Sequence, residues 1–565
     1  MTPTNGKYIC IHGHFYQPPR ENAWLEVIEV QESAAPFHDW NERINYECYA
    51  PNAAARILDK DNYIINIINN YAWISFNFGP TLLSWLAQAD PDTYRAIQQA
   101  DRRSMEHFGG HGSAMAQAYN HLIMPLANAR DRETQTIWGK RDFIHRFGRA
   151  PEGMWLPETA VDTATLEVLA EHGIRFTVLA PRQARAWRRI GDTQWIDGGV
   201  DTRRPYLYRL PSGKTITLFF YDGEVAQEVA FKGLLNSGKG YAHRLRTRFG
   251  DSPDPQLVHV ATDGESYGHH HRYGEMALAD CIDTLRQMPD VQLTNYAAFL
   301  AQHPPTHEVQ IHENSSWSCV HGVERWRSDC GCHTGGLPGW NQAWRAPLRE
   351  TLDWLRDELI PIFEQYGGRY LKDPWAARND YIDVILDRSQ ENVDAFLRKH
   401  GKKGVEWTPE ARTTVLRLME MQRHAQLMYT SCGWFFNEIS GLETNQILQY
   451  ANRAIEYAWT VSGRELHPEF EARLEKAPSN VYDNGAVAYR RYVLPARVSL
   501  ERVGMHYAAA SLFEEEPERM ELLNYAARSD DYHRKRAGTY MVAMGRTRVT
   551  SKVTFSEKPF SFAVL

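Results

Sequence analysis

Two carboxylates in this sequence stand where parallel α/β folds build active sites. Glu158 follows the apolar run Gly153-Met-Trp155-Leu-Pro157. Asp263 follows Leu257-Val-His-Val-Ala261-Thr262, with Gly264 and a second acid, Glu265, behind it. Each run reads as a strand, and each acid falls at its C-terminal end, just before a turn or helix. Strand ends of that kind carry the catalytic groups of barrels and open parallel sheets. A first strand, Tyr8-Ile-Cys-Ile-His12, ends likewise in His12-Gly-His14-Phe-Tyr-Gln17-Pro-Pro, and His111 follows Gly109-Gly110 at a comparable position. Singly, each acid has a plain structural reading: Glu158 as a helix N-terminal residue and Asp263 as a turn former. Together with three histidines they describe a site. Two carboxylates converging from separate strands suit cleavage of a glycosidic bond. One attacks the anomeric carbon, while the other protonates the leaving oxygen and later activates water. Their separation, which distinguishes retention from inversion, is not encoded in the spacing.

The elements around these residues alternate. Helical patterns over 54–70, 82–107, 130–147, 162–172 and 273–288 separate strand-like runs at 73–78, 153–157, 175–180, 215–221 and 257–261. Repeated strand–helix units imply a parallel sheet, open or closed into a barrel. After Gly335-Gly-Leu-Pro-Gly339 the pattern becomes almost wholly helical, over 344–365, 374–399, 409–429 and 445–460. Past about residue 479, runs at 490–494, 538–543, 548–555 and 560–565 look like strands. Three domains are expected: a catalytic barrel over 1–338, a helical bundle over 339–478 and a β-rich region over 479–565. The strand-like end of the chain suggests that this last region is cut short.

Composition narrows the class. The chain has 565 residues, room for about three to four domain-sized units, and is 43% hydrophobic and 24% charged. A formal charge of −7 argues against nucleic acid or an anionic membrane as partner. No run reaches about 18 apolar residues, and the opening stretch through Ile11 lacks the apolar segment of a signal peptide. Seven cysteines, an odd number, predict reduced thiols and a cytoplasmic protein. The 17 tryptophans are notable, because an indole face suits the C–H faces of a sugar ring.

These motifs resemble those of a known family. Gly153-Met-Trp155-Leu-Pro157-Glu158 resembles the segment bearing the nucleophilic glutamate of glycoside hydrolase family 57, particularly its α-glucan branching enzymes. Asp263-Gly-Glu265-Ser-Tyr-Gly-His269 resembles the segment holding that family's acid/base aspartate. His12-x-His14 with Gln17-Pro18 is similar to the opening His-x-His-Gln-Pro motif, and Gly109-Gly-His111 with Asn120-His121 to the second conserved region. Thr430-Ser-Cys-Gly-Trp434-Phe resembles the stretch by which branching enzymes bring a tryptophan to the site. The resemblance covers residues 8 to about 440. It implies an α/β fold of (β/α)7-barrel type, a following helical domain, retention on α-linked glucans, and neither metal nor cofactor. Glu158 and Asp263 are then the expected catalytic pair. Expected substrate-binding residues are His12, His14, Gln17, His111, Trp155, Glu265, His269, Trp317, His321 and Trp434. The sequence departs from the pattern at Phe15 and Tyr16, which intrude before Gln17. It departs again at Gly433, where the family has aspartate, and at His270-His271, where branching enzymes carry aromatics. The β-rich tail resembles a domain of unknown function attached to some members.

Trp317 and His321 lie in a polar-aromatic loop that continues to Cys330-Gly-Cys332-His333. The Cys-x-Cys-His spacing is tighter than common zinc motifs and no second cysteine pair follows, so a substrate-contacting loop is the preferred reading. For Trp434, a glycine beside it could turn the indole outward as a substrate platform; the competing reading is core packing. Two other functions remain in view. A metal-dependent carbohydrate deacetylase would need an aspartate on the first strand, which ends here in His12. A non-catalytic glucan-binding protein would not need both carboxylates. The expected partner is an α-glucan or oligosaccharide, with no nucleic acid or membrane; hydrolysis against transfer, linkage and oligomeric state are left open.

Overall fold

The computed structural model describes residues 6–565; residues 1–5, part of the stretch read for a leader, lie outside it. The chain divides into two compact units. One comprises residues up to 19 and 30–324, the other 20–29 and 325–565.

The first unit is a barrel of short parallel strands: β1 (Lys7–Phe15), β2 (Ser75–Phe78), β3 (Ala116–Gln117), β4 (Met154–Trp155), β5 (Phe176–Leu179), β6 (Thr215–Phe220) and β7 (Gln256–Asp263). β1 pairs in parallel with both β7 and β2, β3 with β4, and β5 with β6. Parallel bridges Phe76↔Ala114 and Gly153↔Phe176 join β2 to β3 and β4 to β5. The amide of Asp222, just past β6, donates to His259 O of β7 at 2.8 Å and completes the circuit. A closed sheet leaves no edge, and its inward residues form a packed core. Tyr8, Cys10, Met115, Trp155, Phe176, Phe219 and Leu257 belong to that core. Two expectations within this unit need correcting or extending. Residues 54–70 form not a helix but an antiparallel hairpin, Ala55–Leu58 with Ile64–Ile68. Its turn is set by Asp59, whose Oδ1 accepts from the amides of Asp61 and Tyr63, both at 2.9 Å. The isoleucine-rich flanks favour a pleated surface over a helix. In addition, β6 pairs antiparallel with Tyr206–Arg209 outside the barrel, which pairs in parallel with His307–Ile311, itself antiparallel to Ala184–Arg189.

The second unit takes in both the helical segment and the β-rich end. Long helices Arg345–Tyr370, Pro409–Leu427 and Leu442–Ser462 pack together. The expected helix over 374–399 is three pieces, Pro374–Asp380, Ile382–Leu386 and Gln390–His400. Residues 490–494, expected as a strand, are a wide helical turn continuing from Gly485–Ala488, whose first amides are capped by Asn484. An antiparallel sheet, Arg519–Leu522, Tyr525–Ala537, Tyr540–Ser551 and Glu557–Val564, packs on helix Leu500–Ala510 through Val503, Tyr507, Tyr525 and Val549. Residues 20–29 belong here as well: Trp24 Nε1 donates to Glu456 at 2.6 Å, and Trp24 O accepts from Tyr525 Oη at 2.9 Å. Among the described residues no helix is long and apolar enough to cross a membrane.

Candidate active site

Glu158 and Asp263 both lie just past or at the C-terminal end of a barrel strand, Glu158 beyond β4 and Asp263 at the end of β7. The backbone at Glu158 and Thr159 is left-handed, with φ of +57° and +48°. Such a conformation costs a non-glycine residue of order 1–3 kcal/mol and persists only where its surroundings over-determine it. Here they do. Thr159 Oγ1 donates to Gln183 at 2.8 Å, Gln183 Nε2 returns a bond to Thr159 O at 2.8 Å, and Trp317 N donates to Glu158 O at 3.0 Å. One carboxylate oxygen of Glu158, Oε2, accepts from Trp317 Nε1 at 3.0 Å and from Ser318 Oγ at 2.5 Å. Donors aimed at a carboxylate favour its charged form.

Asp263 pairs in register with His14 across the β1–β7 ladder. Gly264 follows it because a Cβ there would lie 2.2 Å from the Phe15 ring. The Asp263 side chain keeps solvent-accessible surface although protein crowds around it. That crowding, and secondarily the negative charge of Glu158, push its carboxyl up to about 7. An acid that holds its proton near neutrality therefore sits beside one whose oxygen is charge-stabilised. This is the division of labour needed for acid-assisted nucleophilic displacement.

The histidines of β1 are structural partners of one network. His12 Nδ1 lies 3.0 Å from Ser75 Oγ and its Nε2 lies 3.1 Å from Asn77 Oδ1. His14 reaches Asn77 through Nδ1 and His121 Nε2 through its own Nε2, at 3.1 Å. Both rings stack on Trp155, at 4.7 and 5.1 Å between centroids, and Trp317 meets Trp155 edge-on at 5.2 Å. Burial holds both imidazoles at about 3, so they are neutral. Glu265 is also buried: its Oε1 accepts from Tyr49 Oη at 2.5 Å and Tyr16 N at 3.0 Å, and burial raises it to about 8.

Glycosyl hydrolase family 57 is the family whose model matches residues 9–312, more than half of the chain. The chain belongs to this family. A second match, to a domain of unknown function (DUF3536), spans residues 340–565. Solved structures of similar fold include an exo-type maltose-forming amylase from Pyrococcus sp. ST04 (17% identity, 83% of each chain, TM-score 0.61). Another is a family 57 branching enzyme from Pyrococcus horikoshii (14% identity, 87% of this chain and 96% of that one, TM-score 0.50). A curated relative, alpha-amylase 1 of Dictyoglomus thermophilum, is 26% identical over 107 residues. The chain spans only about 15% of that relative's length in the match, which covers 19% of this chain.

Within this family 57 barrel not every expected residue reaches the carboxylates. His111 precedes β3, and its Nδ1 pairs with Glu152, which precedes β4, at 2.8 Å. Glu152 in turn pairs with Arg175, which precedes β5. This cluster is at the N-terminal ends of the strands, opposite Glu158 and Asp263, so His111 is not brought to the site. The histidine past β3 that does meet His14 is His121, with φ +55°. It stood in the quoted Asn120-His121 pair, but β3 is two residues long and its direction was not legible. Gln17 Nε2 donates to Tyr16 O at 2.9 Å. His269 pairs through Nδ1 with Glu47, and its amide donates to Glu265 O at 3.0 Å. His321 is exposed. Trp434, expected to turn outward, is fully buried in its unit; it stacks parallel to Tyr429 and its Nε1 donates to Arg345 O at 3.3 Å. Gly433 does not free the indole, because its Cα packs against Ile447, where a Cβ would come within 2.4 Å. Ser318 and Asn77, which no motif singled out as site residues, are the added members of the network.

Proposed function

We propose that this chain is a retaining glycoside hydrolase or transglycosylase acting on α-linked glucans or oligosaccharides, with Glu158 as nucleophile and Asp263 as acid/base. The observation that carries the reading is the contrast between the two carboxyls. Glu158 accepts two side-chain donors on Oε2, while Asp263, crowded and beside that charge, keeps its proton to about 7. In the first step a Glu158 oxygen attacks the anomeric carbon as the glycosidic C–O bond breaks. Asp263 gives its proton to the departing oxygen, leaving a glycosyl ester on Glu158. In the second step the ionised Asp263 takes a proton from water or from an acceptor sugar hydroxyl, which attacks the same carbon and releases Glu158. Two successive displacements retain configuration. The neutral histidines of β1 are held inside the protein by Ser75, Asn77 and His121, and Trp317 offers an apolar face beside Glu158. The relatives with printed activities, an amylase and a branching enzyme, support an α-glucan as substrate class.

The test is incubation with a panel of α-glucans and oligosaccharides, read by product mass and anomeric configuration. It is paired with a 5-fluoroglycosyl fluoride that traps the ester. Label on the peptide containing Glu158 and α-configured first products are expected. Inverted products, or label on another carboxylate, would overturn the assignment.

A further inference from the structure

The first unit carries a second concave surface outside the catalytic centre. A cleft of about 500 Å³ lies between residues 37–50 and the helix Pro80–Ala89, with Phe37, Tyr46 and Trp85 among its lining side chains. That volume falls in the range of small-ligand sites. We propose that this cleft is a second carbohydrate-binding site, which holds a segment of α-glucan chain away from the bond being cleaved.

The local sequence builds the cleft from both sides in the same way. In Pro80–Ala89 the buried residues are Leu82, Leu83 and Leu86, so Trp85 and Ala89 share the outer row, four positions apart. Across from them Tyr46 and Ala50 are likewise four apart, and the turn Asn45–Tyr49 is widened to i→i+5 bonding. An alanine beside each aromatic leaves room next to the ring. Tyr46 is 70% exposed and meets Phe37 at 5.3 Å between ring centroids. Trp85 has no ring or hydrogen-bond partner among the described residues. Between the two sides Asn45 Nδ2 donates to Asp90 Oδ2 at 2.8 Å. Asn45 is only 9% exposed, yet its Oδ1 has no hydrogen-bond partner. A buried acceptor normally finds a donor, and a hydroxyl entering the cleft supplies one.

Charge selects the ligand. Among the described residues no lysine or arginine lines the cleft, whereas Asp39, Glu42 and Asp90 do, so an anion is repelled. A cation is no better served, because these acids already meet protein donors. Asp39 Oδ1 accepts from the amides of Asn41 and Glu42 at 2.9 and 3.0 Å, and its Oδ2 lies 2.9 Å from His38 Nδ1. Glu42 Oε2 accepts from His38 N at 2.6 Å. Asp90 accepts from Thr93 N at 3.1 Å and Thr93 Oγ1 at 2.7 Å as well as from Asn45. The ligand that fits is neutral, with apolar faces for the rings and hydroxyls for the remaining lone pairs, which describes a sugar chain.

Neither Glu158, Asp263 nor any histidine of β1 lines the cleft. The wide turn is nevertheless shared: Asn45 and Tyr46 line the cleft, while Glu47 pairs with His269 and Tyr49 Oη donates to Glu265. The site therefore neighbours the catalytic loop without belonging to it. A neutral sugar follows from the cleft itself; that the sugar is an α-glucan rests on the substrate class proposed above.

The full chain is tested by affinity electrophoresis through glycogen and by hydrogen exchange with and without maltoheptaose. Maltoheptaose should protect peptides 37–50 and 82–90 together. Trp85→Ala should weaken retention by glycogen about tenfold, the scale of losing one aromatic anchor, and leave turnover of a short aryl maltoside unchanged. If Trp85→Ala fails to fold, Tyr46→Ser, at an exposed position, should show the same loss of retention. Retention equal to wild type in the folded variants, no protection at 82–90, or protection there by pentalysine in place of maltoheptaose would overturn the site. Equal protection by a cello-oligosaccharide would overturn the choice of an α-linked chain. Protection at both peptides in a chain that turns over no α-glucan would refute the catalytic reading alone, and turnover without that protection would refute the cleft alone.

Discussion

Tyr49 Oη donates to Glu265 Oε1 at 2.5 Å, and Tyr16 N donates to the same oxygen at 3.0 Å. The two acids of Asp263-Gly-Glu265 are thereby divided: Glu265 is buried and held by protein donors, while Asp263 keeps exposed surface. Because burial raises Glu265 to about 8, glutamine is its near-isostere at neutral pH. Glu265→Gln should unfold within about 1 kcal/mol of wild type. Glu265→Ala leaves two donors without an acceptor, at about 1–3 kcal/mol each. Chemical denaturation of the two variants checks this.

Asp263→Asn should abolish turnover of natural glucans while sparing the first step on activated aryl glycosides, which need no proton on the leaving group. In the wild type, kcat/KM should fall as pH rises through about 7, where Asp263 loses its proton. The stability sign follows as well. Between the ordinary 3.8 and about 7 the folded state binds more protons than the unfolded one, so this residue's contribution to stability declines as pH rises through that window. An alkaline limb that survives in the residual activity of Asp263→Asn on activated substrates would assign it to another group.

Ser318→Ala and Trp317→Phe each remove one donor from Glu158 Oε2. A hydrogen bond to a charged group is worth about 1.5–3 kcal/mol. If it strengthens the orientation needed for attack, kcat should drop roughly 10- to 100-fold with KM little changed. Steady-state kinetics on one defined oligosaccharide separates this from a loss of binding, which would raise KM instead.

His12 and His14 are held near 3 by burial, against an ordinary 6.5. Between those values the unfolded chain binds the extra protons. Their stabilising contribution is therefore complete above about 6.5 and is lost as pH falls, at up to about 1.4 kcal/mol per pH unit for each ring. Urea unfolding at pH 7 and pH 5 should show that decline. His14→Gln should make it shallower; an unchanged slope would mean that the rings are already charged in the fold.

Trp434→Ala should destabilise by about 3–5 kcal/mol, the cost of emptying a packed aromatic site, with substrate affinity unchanged. Calorimetry and inhibition by a bound oligosaccharide measure the two effects separately.

Six of the seven barrel strands were legible as apolar, β-rich runs, with Val258–Val260 before Asp263 the clearest, whereas Ala116–Gln117 is too short to be read as one. Residues 54–70 were misread because apolar residues at mixed spacing fit either period, and Asp59, which closes the hairpin turn through its side chain, decides the matter. His111 and His121 could not be told apart, since a two-residue strand between them does not announce which end is which. Trp434 shows that a neighbouring glycine can serve tight packing against Ile447 rather than exposure.

The segment at 20–29 imposes an order of events during synthesis. It is made directly after β1, but the carboxylate that accepts the Trp24 indole hydrogen bond, Glu456, lies 432 residues later. At about 5–20 residues per second, a ribosome takes roughly twenty to ninety seconds to reach it. For that interval the nascent chain carries an indole without its partner, and residues 30–324 must assemble around a strand whose immediate extension is not yet in place. A fragment ending after the barrel would carry the same indole without its Glu456 partner permanently.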